Sequence, residues 1–470
     1  MGLHWKARLR RTAREVRPTV LLACPIMAGM VAHMLIGVAD TIMVGRTGVV
    51  PLASAAFVNA LTHVPFVFGI GLLSAVAVLT AQAFGAGRRQ EAGEVIRHGL
   101  LIAVGVGTLT LAGIFFLRPQ LHRFGQPSEV VAASGTYLLL FGASLLPALV
   151  AHACKQFAEA LNRPWIPNLI LLGGVALTVL LNWVLIYGNA GAPAMGLEGA
   201  GWATLIARTL MAVAMIAYVT RSAVLRPFQP IRWFAGLQSE TVRGLWRIGW
   251  PVGLQHFMEV SAFVLAALMM GWLSADAIAA HQIAITCAAT TFMFPLGIAM
   301  ASSIRVGHAW GAGQFGRVRR IGFTGIVLAG VVMGFFGVMF VGGGGFIARI
   351  FVVETRVIAL VSQMLLVAAI FQVADGVQIG AICSLRGLSD VRVPAMIAIF
   401  AYWVVAVPLG YLVAFRGGVG AVGIWIGLAV GLGVAAVSLV WRFHRKTRAL
   451  PVNQVSTHKR DREGCALSQP

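Results

Sequence analysis

Twelve apolar stretches, each long enough to cross a bilayer, recur along this chain at nearly regular intervals and leave it few ways to fold. In hydrocarbon every backbone N–H and C=O must be satisfied within its own segment, so a stretch of roughly 20 apolar residues crosses as a helix. The spans read at about 18–45, 51–82, 95–117, 131–157, 166–188, 196–220, 245–272, 278–305, 321–348, 357–384, 394–415 and 420–441. With 59% of 470 residues hydrophobic and 11% charged, too little polar surface exists to coat a soluble globule. The sequence therefore predicts an all-α polytopic membrane protein with twelve transmembrane helices.

A formal charge of +21 would suit a nucleic-acid partner, but the basic residues lie in the gaps between spans. Membrane topology accounts for them, so the expected partner is the lipid bilayer and no nucleic acid. If the N-terminus is cytoplasmic, 29 of the 36 Lys and Arg fall on the cytoplasmic side and six outside, with Arg208 alone inside a span. The positive-inside rule then puts both termini in the cytoplasm. The basic stretch from Lys6 to Arg17 precedes an apolar run too long for a signal peptide, and is read as leading into a retained first helix. Cys24, Cys154, Cys287, Cys383 and Cys465 show no CxxC or zinc spacing, so no disulfide and no metal cluster is expected.

An internal repeat organises the spans. Ala81-Gln-Ala-Phe-Gly-Ala-Gly87 aligns with Gly307-His-Ala-Trp-Gly-Ala-Gly313 at an offset of 226, which also superposes Pro25 on Pro251, Gly45 on Gly271 and Phe66 on Phe292. With one residue slipped, Asn162-Arg-Pro-Trp-Ile-Pro167 meets Ser389-Asp-Val-Arg-Val-Pro394. The chain then divides into a basic arm at 1–17, a six-span half at 18–220, a linker at 221–244, a second half at 245–441 and a basic, disordered tail at 442–470. Six spans per half is even, so the halves share one orientation and form two parallel repeats. Secondary transporters use this pattern with a substrate path between the repeats.

Most of the 15 acids fall in loops, tails or span ends; Asp40, Glu259 and Asp375 stay inside spans. A carboxylate at a helix centre costs about 3 kcal/mol on insertion scales and needs a proton, a cation or a partner. Three of them without a matching intramembrane Lys invite cations. Asn182 is a candidate partner for Asp40, with Thr178 one turn below it on the same helix face. Gln255 and His256 lie one turn from Glu259, and Gln372 and Gln378 flank Asp375. Phe257, Phe292 and Phe371 are candidates to line a chamber for flat lipophilic cations. Pro65, Pro147, Pro295 and Pro408 are candidate kinks, while Pro25 and Pro251 fit equally well as residues near a helix start. Gly342–Gly345 reads as a helix terminator. No Walker A, GxSxG, HExxH or DxDG-type loop occurs, so neither an ATP-driven pump nor an enzyme is expected.

Asp40-Thr-Ile-Met-Val-Gly45, the Ala81–Gly87 segment and Leu385-Arg-Gly-Leu-Ser-Asp-Val-Arg-Val-Pro394, in this order among twelve spans, resemble the MATE (multidrug and toxic compound extrusion) family, in its bacterial NorM-like branch. The resemblance runs from about Pro18 to Trp441. It implies a V-shaped two-lobe fold in the bacterial inner membrane, exporting organic cations in exchange for Na⁺ or H⁺. A monomer without a cofactor is expected. The resemblance matches Asp40 to the family's first-helix acid, Asn182 to its companion, and Glu259 and Asp375 to the C-lobe cation site, which would hold Na⁺ if Na⁺ is the coupling ion. Two positions depart: Thr178 stands where many relatives carry Asn, and Phe371 where some carry a Tyr whose hydroxyl helps the cation site. That lost oxygen favours H⁺ over Na⁺. A lipid-linked precursor flippase, as in the wider superfamily, is the alternative; it predicts a basic cavity, against which a single intramembrane base, Arg208, argues weakly.

Overall fold

The computed structural model describes residues 2–450 except 235, with side chains from Arg14 onward. All its regular structure is helical. Twelve helices long and apolar enough to cross a membrane are present among the described residues. They are α1 (Gly2–Gly45), α2 (Val49–Gly85), α3 (Arg89–Leu117, continued by a 3₁₀ turn Arg118–Phe124), α4 (Ser128–Ala160), α5 (Trp165–Tyr187) and α6 (Gly196–Arg221). The second set is α7 (Ser239–Leu273), α8 (Ala275–Gly311), α9 (Phe315–Phe351), α10 (Thr355–Gly387), α11 (Arg392–Arg416) and α12 (Ala421–Arg448). Residues 451–470, with Cys465, lie outside the described residues, while 442–448 continue α12 as helix. The other four cysteines are free thiols.

The repeat is written into the backbone. Gly87 and Gly313 both take left-handed conformations, at φ 72° and 67°, directly after α2 and α8. The caps match bond for bond: Gly87 N–H donates to Phe84 O and Arg88 N–H to Ala83 O, as Gly313 does to Trp310 O and Gln314 to Ala309 O. Such paired bonds satisfy carbonyls that a helix end leaves orphaned. Asn162 and Ser389, also aligned, are both left-handed non-glycine residues, at φ 59° and 58°.

Two compact units form. One comprises the chain up to Cys24, Ala81–Arg88 and Ser261 onward; the other comprises Pro25–Thr80 and Arg89–Val260. Their borders run through α1, α2 and α7. In the first unit the repeat symmetry recurs as packing: a Cβ at Gly85 would collide with the His308 carbonyl, and one at Gly311 with the carbonyl of Gln82, the residue aligned with His308. Along α12, Gly423, Gly427 and Gly431 press against Ala414, Gly410 and Ala406 of α11, backbone to backbone. Small residues at four-residue spacing let apolar helices approach where no hydrophobic drive exists between them. Helix α11 carries π-helical turns at Ala401–Ala406 and Leu412–Arg416 on either side of Pro408. The widened turns absorb the carbonyl that a proline leaves without a donor. In the second unit the linker is tied to α3, where Arg97 Nη2 donates to Gly236 O at 2.9 Å and Gln238 N–H to His98 Nε2 at 3.0 Å.

Three expectations change. Gly342–Gly345 does not end α9, which runs on to Phe351; without competing water the helix keeps its backbone bonds, and a Cβ at Gly344 would stand only 3.7 Å from Leu365 and Ser362 of α10. Pro25 and Pro251 are not near helix starts, because α1 and α7 begin well before them. Sorting acids by position in the spans also overlooks that Glu15, Glu159 and Asp390 are buried, each with a base. Glu15 takes Arg305 and, at 3.1 Å, Arg317; Glu159 stands 3.5 Å from Lys155; Asp390 accepts a two-pronged bond from Arg442 at 2.8 and 3.0 Å.

Candidate functional site

In the second unit α1 and α5 run side by side in the same direction, and three contacts fix their register. Asn168, near the start of α5, fills the space a Cβ would need at Gly29. Asn182 Nδ2 donates to Asp40 Oδ1 at 2.5 Å, and Tyr187 Oη to Met43 O at 2.9 Å. Asp40 is half-buried and Asn182 fully buried, with no protein partner for Asn182 Oδ1 among the described residues. One amide hydrogen bond to a carboxylate contributes about 2 kcal/mol, enough to orient Asp40 without quenching it. An acceptor-only carboxylate beside a free amide oxygen can take a proton or a metal cation. Thr178 is buried one turn below, its Oγ1 proton donated to Gly174 O at 2.8 Å, so only its oxygen lone pairs remain to offer.

Sequence reasoning treated Arg208 only as an isolated base. It lies on α6, donates from Nη1 to Ser144 Oγ at 3.0 Å, and stacks over Phe141 and Phe66 at 4.8 and 5.7 Å. Arg208 and Tyr137 are within electrostatic reach of Asp40. An arginine inside a span is itself a signal that could have flagged this neighbourhood.

On α7, His256 Nδ1 stands 3.9 Å from Glu259 Oε2, and Gln255 is buried with its Nε2 lacking a protein acceptor among the described residues. Phe257 is half-buried. These residues belong to the second unit, close to its border at Val260, whereas Asp375 belongs to the first.

Around Asp375, itself buried, α10 presents Phe371, Gln372 and Gln378, all buried. Gln372 Nε2 donates to Thr291 Oγ1 of α8, and its Oε1 has no protein donor among the described residues. Phe371 packs 5.5 Å from Trp425 and 6.3 Å from Phe263. Phe292, half-buried, packs on the same apolar core. Tyr402 of α11, which sequence reasoning missed, brings its hydroxyl 3.4 Å from Gln378 and its ring 5.9 Å from Phe263. Among the described residues no group of three or more His, Cys, Asp or Glu side chains is gathered as for a metal ion.

Comparison with known proteins fits this arrangement. The family model MatE matches residues 25–184 and again 251–412, two stretches whose starts differ by the repeat offset. The chain is 36% identical over 445 residues to the "Probable multidrug resistance protein NorM" of Mesorhizobium japonicum, covering 93% of this chain and 95% of that one. It is 35% identical over 442 residues to the protein of the same name from Bradyrhizobium diazoefficiens, with the same coverage. Among solved structures, the Vibrio cholerae MATE transporter VcmN superposes at TM-score 0.87 with 19% identity, over 94% of this chain and 99% of that one. The fold is that of a multi-pass membrane transporter. The chain belongs to the MATE family.

Proposed function

We propose that the chain is a multidrug efflux transporter that exports lipophilic organic cations from the bacterial cytoplasm or inner leaflet in exchange for Na⁺ or H⁺. The NorM-named relatives, matched over nearly their whole length, favour drug export over the flippase alternative. One observation carries the coupling: inside a membrane helix, Asp40 is held by an amide donor rather than paired directly with a Lys or Arg among the described residues. Such a carboxylate changes charge when it takes up a proton or cation, and occupancy biases a two-state carrier only through its differential affinity for the two states. Na⁺ or H⁺ at Asp40, or at Glu259 and Asp375, then favours the state that releases drug outside. Phe257, Phe292 and Phe371 serve the drug as apolar walls, and Thr178, Gln255 and His256 as polar contacts.

The repeats at 18–220 and 245–441 act as the two lobes, in an inner membrane with both termini cytoplasmic, where 29 of 36 Lys and Arg fall on one side. A single chain carries a membrane acid in each half and so works as a monomer. Asp375→Asn and Glu259→Gln should leave membrane abundance unchanged yet abolish resistance to ethidium in a drug-sensitive host. Full resistance in both variants would remove those acids from the mechanism.

A further inference from the structure

The repeat is broken where α9 begins and α12 ends. Helices α3 and α9 start at aligned positions, Arg89 and Phe315, and at the same offset Glu91 and Glu94 of α3 meet Arg317 and Arg320 of α9. In the first half Glu94 holds Arg97 at 2.6 Å. In the second, Arg317, Arg319 and Arg320 crowd the opening turns of α9 with no acid among them. Cations at a helix N-terminus oppose the helix dipole, so this exchange of acids for arginines weakens the helix rather than supporting it. Departures of that kind are expected where a chain builds a site.

Packing brings the charged end of α12 to the same place. Gly322 of α9 has no room for a Cβ because the buried Phe443 ring lies against it, and Phe323 packs 5.3 Å from that ring. The contact sets His444 beside Arg319, whose Nη2 donates to His444 Nδ1 at 3.2 Å. A guanidinium can only donate, so His444 is neutral in this arrangement and carries its own proton on Nε2, as a further donor. Arg319 also lies over the Phe323 ring at 5.7 Å, and Arg445 over Trp441 at 4.8 Å. Trp441, His444, Arg445 and Arg448 recur at three- and four-residue spacing and so share one side of α12.

The acids of this region are already taken: Glu15 holds Arg305 and Arg317, and Asp390 holds Arg442 and Lys446. Arg319 and Arg320, half-buried, and Arg445 and Arg448, exposed, have no carboxylate partner among the described residues. What lies beyond these charges selects the anion. Val327 and Val331 continue the Phe323 side of α9 at four-residue spacing, and Val437 precedes Trp441 by the same step on α12. All three valines and Trp441 are exposed, on helices apolar and long enough to cross a membrane. An exposed Trp at the end of such a helix belongs at headgroup level. A soluble anion would use the charges alone, whereas a molecule with a phosphate head and acyl chains uses the charges and the apolar stripes together.

We propose that the start of α9 and the end of α12 form a binding site for an anionic phospholipid, cardiolipin above all. Its phosphates sit on Arg319, Arg320, Arg445 and the Nε2–H of His444, and its acyl chains lie along Val327, Val331 and Val437. Arginine takes phosphate oxygens in a two-pronged fork, and two phosphates suit arginines supplied by two helices. The site stands independently of the drug-efflux reading.

Native mass spectrometry of the purified full chain, titrated with tetraoleoyl cardiolipin or dioleoyl phosphatidylcholine, reads the affinity for each lipid. The wild type should bind cardiolipin about tenfold more tightly. Arg319→Gln combined with Arg320→Gln should weaken cardiolipin binding about tenfold and change phosphatidylcholine binding less than about twofold. Arg226→Gln combined with Arg232→Gln removes two exposed linker arginines, the same charge, and should keep cardiolipin affinity within about twofold of the wild type. Equal affinity of the wild type for the two lipids would overturn the proposal even if no variant folds. So would a cardiolipin affinity that the two double variants lower equally, or that neither lowers. Millimolar inorganic phosphate should leave cardiolipin bound; its full displacement would assign the charges to a soluble anion and overturn the lipid site.

Discussion

Asp40 and Asp375 are intramembrane acids, one from each of two halves that share helix caps, left-handed turns and a 226-residue offset, yet the side chains around them differ. Asp40 lies between regular helices, bonded to Asn182 and within reach of Arg208 and Tyr137. Asp375 lies among amides and rings, Gln372, Gln378, Phe371 and Trp425, beside a helix α11 with two π-helical turns that α12 meets through a glycine row. The repeat therefore dictates backbone, because caps and small-residue contacts are what a shared fold needs. It leaves charge free to diverge, because charge sets what each site binds. One half sets an amide donor on its acid with an arginine within electrostatic reach, and the other carries its acid on a helix that also presents two buried glutamines and a phenylalanine packed on Trp425.

The largest test of this difference is removal of each acid. Asp40→Asn and Asp375→Asn should each lower dye efflux about a hundredfold or more in a vesicle assay; loss from one alone would assign coupling to that half. Next comes packing, where the second half is the more exacting. Gly427→Leu drives a side chain into the Gly410 backbone and should sharply reduce monodisperse protein, whereas Gly433→Leu, with nothing within 4 Å, should match the wild type. Smaller still, Asn182→Ala removes one donor to Asp40 and should slow efflux about tenfold with little change in thermal stability. Smallest is Phe371→Tyr, which returns a hydroxyl next to Asp375 and should shift the Na⁺ dependence of efflux by about twofold in half-saturating concentration, leaving the first half's response to pH untouched.

Much of this was legible in the sequence where the signal is local or periodic. Twelve apolar runs gave twelve helices, and the aligned Gly87 and Gly313 turned out to share one conformation and one set of hydrogen bonds. The Asp40–Asn182 contact was legible too, since two polar residues inside separate spans have few other partners. What escaped depends on contacts between distant segments. Glu15 reads as part of a basic arm until Arg305 and Arg317, nearly three hundred residues on, are seen to bury it. Tyr402 looks like one aromatic among many until α11 delivers its hydroxyl to Gln378. The Gly342–Gly345 run misleads because glycine ends helices in water, where the backbone has another partner, but not in a membrane.

The central claim is that intramembrane carboxylates couple drug export to a cation gradient. Efflux of a fluorescent cationic dye from proteoliposomes, compared under an imposed Na⁺ gradient and an imposed pH gradient at fixed membrane potential, tests it most directly. The account predicts efflux driven by one of the two gradients and lost in Asp40→Asn or Asp375→Asn. Efflux indifferent to both gradients, or undiminished in both variants, would contradict it.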